Sequence, residues 1–160
     1  MTNLRIGFGF DVHQLVDGHP FVLGGIRIPH HKGTVGHSDA DVLIHAICDA
    51  LLGAANMGDI GLHFPDTDPS LKGVDSKLLL KNTVRMLSEK KYQIVNIDTT
   101  VCLQMPKIRP YIPQMTETLS QVMHLPADVI SIKATTTEKL GFTGREEGVA
   151  AYASVLISKE

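Results

Sequence analysis

The stretch His37-Ser-Asp-Ala-Asp-Val-Leu-Ile-His-Ala-Ile-Cys-Asp49 predicts the helix around which we expect the rest of the chain to fold. Asp41, His45 and Asp49 recur every four residues, so a helix would stack them along one face. Most other positions are apolar, which indicates a helix anchored in a core. A histidine between two acids is a candidate metal ligand, although a solvated polar face would give the same pattern.

The start of this helix is predicted from its capping pattern. Ser38 is followed three residues later by an acid, Asp41, which is typical of an N-cap with a capping box. His37 would then lie just outside the helix start, where backbone N–H groups attract anions.

Composition argues against several classes of function. The chain has 160 residues, which suits one domain, and 15 basic against 17 acidic side chains give a formal charge of −2. Because no run of charges occurs, nothing favours a nucleic-acid or membrane partner. Cys48 and Cys102 lie in apolar segments without metal-type spacing, so we expect reduced thiols, as in a cytoplasmic protein. No targeting segment or long apolar span is evident.

Local patterns predict a mixed sheet with helices. Alternating apolar residues predict strands at residues 4–10, 94–103, 129–134 and 149–157, and Gly24-Gly25 predicts a hairpin between residues 21–23 and 26–28. Helical patterns predict a second helix over residues 76–91 and a third that begins near residues 110–113. We therefore expect an α/β (α+β) fold, with a single domain over residues 1–160 and a mixed β-sheet covered by helices on one face.

Asp11 and His13 carry the first candidate chemistry. If the first strand stays extended, their side chains point to the same side, opposite to Phe10 and Val12. With His45 they form one carboxylate and two imidazoles, a set that suits zinc with a fourth position open for water or substrate. The acids beside His45 on the helix would orient its second ring nitrogen. A simple hydrogen bond at the strand end is the alternative.

Two further segments offer polar groups to a ligand. The run Lys133-Ala-Thr-Thr-Thr-Glu-Lys-Leu-Gly-Phe-Thr-Gly144 combines hydroxyls and N–H groups, which suit phosphate, with the carboxylate of Glu138, which suits magnesium between two phosphates. Residues 64–68 hold acids between prolines, which suit sugar hydroxyls or a cation. Taken alone, each segment is better explained as an ordinary polar loop.

Motifs spread along the whole chain resemble one enzyme family. They are Gly9-Phe-Asp-Val-His13, His37-Ser-Asp-Ala-Asp-Val42, Asp49-Ala-Leu-Leu-Gly-Ala54, Gly58-Asp-Ile-Gly61, Phe64-Pro-Asp-Thr-Asp-Pro69, Pro106-Lys107, Ile112-Pro-Gln-Met115 and the run from Lys133 to Gly144. Together they resemble the 2-C-methyl-D-erythritol 2,4-cyclodiphosphate synthases of the non-mevalonate isoprenoid pathway.

The resemblance implies a phosphorus–oxygen lyase that converts 4-diphosphocytidyl-2-C-methyl-D-erythritol 2-phosphate to the cyclic diphosphate and CMP. It also implies one cyclodiphosphate synthase domain, a bacterial cytoplasmic location, and a homotrimer with active sites between adjacent subunits. Partners beyond the small-molecule substrate and the other subunits are not expected.

The resemblance also assigns roles by position. Asp11, His13 and His45 would hold one zinc or similar divalent ion per subunit, and Glu138 would bind magnesium or manganese with the substrate diphosphate. His37 and Thr136 would stabilise the transition state. The residues expected to contact substrate are Ser38, Asp59, Ile60, Gly61, Phe64, Pro65, Asp66, Thr67, Asp68, Leu103, Gln104, Met105, Pro106, Lys107, Ile108, Arg109, Thr135, Thr137, Phe142 and Arg145. Those within 103–109 and 135–138 would come from the neighbouring subunit.

Three positions depart from the family pattern. Phe8 stands where a histidine is usual, and Tyr152 stands where an acidic residue is frequent. With Phe10 and Arg145, these positions would lie near a cavity on the threefold axis, where isoprenoid diphosphates bind in the family. Because Arg145 has no evident acidic partner in this register, we expect altered ligand binding there and an unaffected active site. Ala40 stands where glycine is frequent, a change that we expect to be tolerated.

The residues alone leave two other functions open. A metal-dependent phosphohydrolase with the same Asp/His/His set would release inorganic phosphate from phosphomonoesters. A non-catalytic nucleotide-binding protein would be expected to lose Asp11, His45 or Glu138, and all three are present. The synthase reaction needs no activated serine or cysteine, because the substrate's own 2-phosphate is the nucleophile.

Overall fold

The centre of the fold is a mixed sheet built on one long strand. The computed structural model describes residues 3–159, so the ends of the predicted 1–160 domain lie outside the described residues. Strand β1 (Leu4–Asp17) is antiparallel to β4 (Lys32–Val35) and to β7 (Gly148–Lys159). Strand β7 is antiparallel to β5 (Tyr92–Cys102), and β5 is parallel to β6 (Ile130–Thr135). The five strands lie in the order β4-β1-β7-β5-β6.

Helices and a separate hairpin complete the single-domain α/β fold. The remaining elements are β2 (Phe21–Leu23), β3 (Ile26–Ile28), α1 (Val42–Ala54), α2 (Ile60–His63), α3 (Ser76–Glu89), α4 (Ile112–Met123) and α5 (Gly141–Gly144). Helix α1 packs on β1 and β7, and α3 packs on α1. Within residues 3–159, no helix combines the length and the apolar character that crossing a bilayer requires.

Strand β1 presents two different faces. Gly7 and Gly9 face α1, and a Cβ on Gly9 would lie 2.0 Å from the Ala46 carbonyl oxygen, so the backbones of strand and helix touch. Asp11 and His13 continue this inner row, as predicted. The alternate residues of the strand are exposed on the opposite face of the sheet: Leu4, Ile6, Phe8, Phe10 and Val12.

Helix α1 begins later than predicted. Its N-cap is Asp41, whose carboxylate accepts the Ile44 N–H at 3.0 Å. The same fully buried carboxylate accepts the N–H groups of Gly24 at 3.0 Å and Gly25 at 2.6 Å, so it joins the helix start to the turn of the β2–β3 hairpin. The prediction of Ser38 as the N-cap is wrong, because Asp41 satisfies both the helix and the hairpin. Ser38 lies in the preceding loop.

The other predicted elements are present with shifted ends. The hairpin has its predicted bounds, and β1 continues to Asp17 in the extended conformation that places Asp11 and His13 on one side. The second helix ends at Glu89, and the third begins at Ile112 after a 3₁₀ turn. Strand β4 and helices α2 and α5 were not predicted, since each has four residues and shows no periodicity.

Candidate active site

Three side chains from β1 and α1 point their donor atoms at a common centre. Asp11 Oδ2 lies 3.0 Å from His13 Nε2 and 3.0 Å from His45 Nδ1, and the two ring nitrogens are 3.1 Å apart. The direct contact between the glycine row of β1 and the helix backbone is what brings His45 within reach of the strand. The structure therefore unites the three predicted metal ligands, which we call the donor triangle.

The donor triangle fits a divalent metal ion. Three donors of a tetrahedral zinc ion with bonds of about 2.0–2.1 Å lie about 3.3–3.4 Å apart. The observed distances of 3.0, 3.0 and 3.1 Å need only a small expansion to reach that value. His13 Nδ1 lies 2.9 Å from the Val35 carbonyl oxygen, which fixes the ring and directs Nε2 to the centre. One carboxylate and two imidazoles leave a fourth position for water or substrate.

Protonation in the donor triangle reflects competition between burial and hydrogen bonding. Burial disfavours the Asp11 carboxylate, but hydrogen bonds from His13 and His45 outweigh it and lower its pKa to about 2. Burial likewise disfavours a charged His13, yet its hydrogen bond to Asp11 raises its pKa above the ordinary value. A metal ligand must be deprotonated, so a cation that binds here competes with protonation of His13.

The second nitrogen of His45 does not meet the acids of its own helix. His45 Nε2 lies 2.9 Å from Ser76 Oγ and 3.1 Å from Ser38 Oγ. Asp41 is turned toward the hairpin, and Asp49 accepts the first N–H of α2 at 2.8 Å. The prediction that helix acids orient His45 is therefore wrong. Ser76 was not predicted, because no local signal links a serine to a histidine 31 residues away.

The donor triangle opens into a cleft of about 530 Å³, which we call the metal cleft. It brings together these predicted catalytic and substrate residues: His37, Ser38, Ile60, Gly61, Phe64, Pro65, Asp66 and Thr67. The adjoining Asp59 and Asp68 use their carboxylates as helix caps, since Asp59 accepts the Leu62 N–H and Asp68 accepts the Ser70 N–H, each at 2.9 Å. The donor triangle and most of the residues expected on the methylerythritol side therefore share one cleft.

His37 is held by loop backbone and lies away from the helix start. His37 Nε2 lies 3.0 Å from the Asp68 carbonyl oxygen, and the His37 carbonyl accepts the Gly73 N–H at 2.7 Å. The Asp41 carboxylate already occupies the helix N-terminus, so the prediction of an anion position at that terminus is wrong. An anion in the metal cleft would instead meet the side chains of His37 and Ser38.

Most of the other predicted substrate residues line a second cleft of about 180 Å³, the loop cleft, whose lining does not include Thr137, Phe142 and Arg145. Its lining comprises Leu103, Gln104, Pro106, Lys107, Ile108, Arg109, Ala134, Thr135 and Thr136. The Thr136 hydroxyl donates to Glu138 Oε1 at 3.2 Å, which places the predicted magnesium ligand beside this cleft. The Lys139 N–H donates to the Gln104 side chain at 3.2 Å and ties the two loops together. Met105 lies in the same lining loop and is exposed.

The two clefts of one chain lie apart on the sheet. Val12 pairs with Ala150, Ala150 pairs with Cys102, and Cys102 pairs with Thr135, so these residues form one row across the strands. Three strand spacings of about 4.8 Å separate the two ends of that row by roughly 14 Å. The chain alone therefore does not bring Glu138 next to the donor triangle.

Known proteins match the chain over nearly its whole length. A model of the YgbB family matches residues 4–158. The chain belongs to the YgbB family. A family relative from Bacteroides thetaiotaomicron, named 2-C-methyl-D-erythritol 2,4-cyclodiphosphate synthase, is 63% identical over 157 residues, which are 98% of this chain and 99% of that protein. The resemblance that the motifs indicated is confirmed, and the chain is an isoprenoid-pathway enzyme for which the lyase class fits.

Solved structures share this fold. A 2C-methyl-D-erythritol-2,4-cyclodiphosphate synthase in a CDP-bound form superposes with a TM-score of 0.89 at 38% identity, over 96% of this chain and 100% of that chain. The bifunctional IspDF from Campylobacter jejuni superposes with a TM-score of 0.96 at 41% identity. The YgbB-family chain spans 43% of that larger protein.

Two positions that we expected to depart from the family pattern, Phe8 and Tyr152, lie on the exposed face of the sheet. The Tyr152 ring lies 5.1 Å from that of Phe10 and 6.4 Å from that of Phe8, so this part of the exposed sheet face is aromatic. Arg145 donates to both carboxylate oxygens of Glu147, each at 3.0 Å. The expectation that Arg145 lacks an acidic partner is therefore wrong, because the partner lies two residues away on the same chain.

Ala40 adopts a backbone conformation that favours glycine. Its φ is 57°, and its side chain is almost fully buried. A left-handed conformation costs a residue with a Cβ about 1–2 kcal/mol. Alanine at this position is thus accommodated in space but carries a backbone cost that the sequence does not reveal.

Proposed function

We propose that the chain converts 4-diphosphocytidyl-2-C-methyl-D-erythritol 2-phosphate to 2-C-methyl-D-erythritol 2,4-cyclodiphosphate and CMP. The observation that carries this proposal is the donor triangle of Asp11, His13 and His45, which opens into the metal cleft. A relative with the corresponding enzyme name is 63% identical, which supports the same activity. A structural neighbour described with bound CDP supports a cytidine nucleotide as part of the substrate.

The proposed reaction is an intramolecular phosphoryl transfer. An oxygen of the 2-phosphate attacks the β-phosphorus, the bond from that phosphorus to the oxygen bridging to the α-phosphate breaks, and CMP leaves with the electron pair. Because the substrate supplies its own nucleophile, the protein positions the groups and offsets their charge. Asp11, His13 and His45 would hold zinc or a similar divalent ion, and Glu138 would hold magnesium or manganese. Such ions supply charge neutralisation at phosphate oxygens.

The remaining residues would bind and orient the substrate. His37 and Ser38 line the metal cleft beside the donor triangle, so we assign them hydrogen bonds to phosphate. Residues 59–61 and 64–68 would hold the methylerythritol, since their acids accept hydrogen bonds from hydroxyls and repel phosphate. Thr136, beside Glu138, would donate to the diphosphate from the loop cleft, whose other residues would hold the cytidine. Thr137, Phe142 and Arg145 keep their assignment as substrate contacts on family position alone.

We further propose that the two clefts meet between subunits of a homotrimer. The separation of roughly 14 Å across three strands is too large for both clefts of one chain to hold one diphosphate. The exposed face of β1 supports an interface, because Ile6 is 77% exposed and Phe8 is 65% exposed. Contiguous apolar patches of this kind usually mark an interaction surface. In that assembly the neighbouring subunit would bring Glu138 to the donor triangle.

Phosphorus-31 NMR of the reaction products tests the activity. Purified protein with zinc and magnesium should yield the cyclic diphosphate and CMP from the proposed substrate. Asp11→Ala should abolish both products, whereas Asp17→Ala, an exposed acid at the end of the same strand, should leave them unchanged. Free phosphate as the product would favour a phosphohydrolase, and unchanged substrate with metal bound would indicate a binding protein.

Mixing two inactive variants tests the shared site. Asp11→Ala removes a metal ligand from the metal cleft, and Glu138→Gln removes the proposed magnesium ligand beside the loop cleft. A homotrimer of either variant alone should therefore be inactive. After subunit exchange at equal amounts, random assembly should restore about one quarter of the sites, since half the subunits retain each part. Mixed protein without activity, or a monomeric mass by analytical ultracentrifugation, would contradict sites shared between subunits.

A further inference from the structure

A buried hydrogen-bond chain extends from His45 away from the metal cleft. The hydroxyl of Ser76, which is fully buried, lies 2.9 Å from His45 Nε2. The same hydroxyl makes a short hydrogen bond to Asp39 Oδ1, and the Ser76 N–H donates to Asp39 Oδ2 at 3.1 Å. Asp39, Ser76 and His45 therefore form a continuous chain that ends at the donor triangle.

The hydrogen-bonding capacities of these groups set the direction of the chain. An ionised carboxylate only accepts, so the single hydroxyl hydrogen of Ser76 is donated to Asp39. Ser76 Oγ is then left to accept from His45 Nε2, which must carry a hydrogen. A neutral imidazole with hydrogen on Nε2 has its lone pair on Nδ1, the atom that faces the donor triangle and would bind a metal ion once it no longer donates to Asp11.

We infer that Asp39 and Ser76 are positioning residues that hold His45 in the ring orientation and tautomer that bind metal through Nδ1. Carboxylates commonly orient metal-bound histidines by accepting from the second ring nitrogen, and here a serine hydroxyl stands between the two groups. This inference rests on the metal role proposed for the donor triangle.

Backbone hydrogen bonds keep the chain of groups rigid. The Asp39 N–H donates to the Val74 carbonyl at 3.0 Å, and the Gly73 N–H donates to the His37 carbonyl at 2.7 Å. These bonds join the loop before α1 to the loop before α3, so Asp39 and Ser76 approach from two anchored segments. A metal-binding His45 thus depends on α3 as well as on its own helix.

Ser38 has a different role, although it also lies 3.1 Å from His45 Nε2. Its Oγ accepts the Ala40 N–H at 3.1 Å, and its residue lines the metal cleft. Its hydroxyl hydrogen can therefore turn toward a ligand in the cleft. We expect Ser76 to govern metal affinity and Ser38 to govern substrate affinity.

Asp39→Asn tests the direction of the hydrogen bonds without changing shape. With the asparagine oxygen on the Ser76 N–H, its NH₂ group takes the place of Oδ1 and donates to the Ser76 hydroxyl, and it then also opposes the Asp41 N–H that Oδ1 accepts at 3.3 Å. Ser76 would then point its own hydrogen at His45 Nε2, which carries a hydrogen whenever Nδ1 binds metal. Because two donors would oppose each other, we expect the affinity for cobalt(II), read from its visible absorption, to fall about 10–100-fold.

Ser76→Ala and the double variant separate a relay from a general structural effect. Ser76→Ala should lower cobalt(II) affinity by about tenfold, the lower end of that range, because Ser38 Oγ stays 3.1 Å from His45 Nε2 as a second acceptor. Adding Asp39→Asn to Ser76→Ala should lower it much less than Asp39→Asn lowers it alone, because Asp39 reaches the His45 ring through Ser76, although it also accepts the Asp41 N–H at 3.3 Å. Asp75→Asn is the matched control, since Asp75 caps the same start of α3 through the Lys77 N–H and has no link to His45. It should keep the wild-type affinity and absorption spectrum.

The cobalt(II) affinities of these variants decide whether Asp39 and Ser76 position His45. Wild-type affinity in Asp39→Asn, or additive losses in the double variant, would overturn the inference. If Ser76→Ala does not fold by circular dichroism, the shape-preserving Asp39→Asn decides alone. Wild-type protein that binds neither cobalt(II) nor zinc would refute the proposed metal role itself. That failure is distinct from variants that bind as tightly as the wild type.

Discussion

Replacing Gly9 by alanine should show how the donor triangle depends on the contact between β1 and α1. The new Cβ would lie 2.0 Å from the Ala46 carbonyl oxygen and 2.7 Å from the Ala50 nitrogen, which are backbone atoms that cannot rotate away. Restoring an ordinary contact of about 3.4 Å requires the helix and strand to separate by roughly 1.4 Å. Overpacking of this kind costs about 3 kcal/mol, at the upper end of its usual range.

The same displacement would break the donor triangle. Asp11 and His13 move with the strand and His45 moves with the helix, while metal–ligand bonds tolerate changes of only about 0.2 Å. We therefore expect Gly9→Ala to lower the midpoint of thermal unfolding by about 6–12 °C. Metal affinity, measured by cobalt(II) titration of the folded protein, should fall at least about tenfold.

Gly53→Ala is the matched control for this prediction. Gly53 lies in α1, and a Cβ there would meet no atom within 4 Å. Both variants change the unfolded chain in the same way, so their difference reports the folded state. Gly53→Ala should stabilise the protein by about 0.5–1 kcal/mol and leave metal affinity unchanged. Wild-type stability in Gly9→Ala, or lost stability with undiminished metal affinity, would refute the coupling of helix position to the metal site.

Three other variants test individual features of the fold. Ala40→Gly should raise the free energy of unfolding in urea by about 0.5–1 kcal/mol, because relief of the left-handed conformation exceeds the entropic cost of glycine. Asp41→Asn should lower that free energy by about 2–4 kcal/mol, since one amide oxygen cannot accept from Gly24, Gly25 and Ile44 together. Burial raises the pKa of the Cys48 thiol from 9.0 to about 12. The unfolded thiol therefore ionises first, and stability should fall by about 1.4 kcal/mol per pH unit between those values, a slope that Cys48→Ala removes.

Short-range sequence patterns were enough to predict most of the helices and strands. The Gly24-Gly25 turn, the period-two strands and the second and third helices all appear near their predicted positions. The helix start was misplaced because both Ser38 and Asp41 are good N-caps. The choice between them depends on hairpin N–H groups at residues 24 and 25, which are far away in sequence. Nothing within the helix itself encodes that contact.

The donor triangle was predictable from residue chemistry, but its supporting contacts were not. Asp11 and His13 share one side of an extended strand, and His45 lies on a helix with an apolar remainder, so three suitable ligands could be named. Ser76 and Asp39 reach His45 only because two loops are joined by backbone hydrogen bonds. Serine and aspartate at loop ends are common caps, and their side chains carry no sign of a distant partner.

The alternation of residues along β1 connects the metal site to the proposed assembly. The inner row uses glycine so that α1 can approach closely enough for His45 to join Asp11 and His13. The apolar residues of the strand therefore occupy the outer row, where the described part of the chain leaves them exposed. In the proposed trimer, other subunits would cover that row and would also supply the Glu138 side of the active site. One strand pattern thus explains a complete donor triangle within the chain and, in the proposed trimer, an active site shared between subunits.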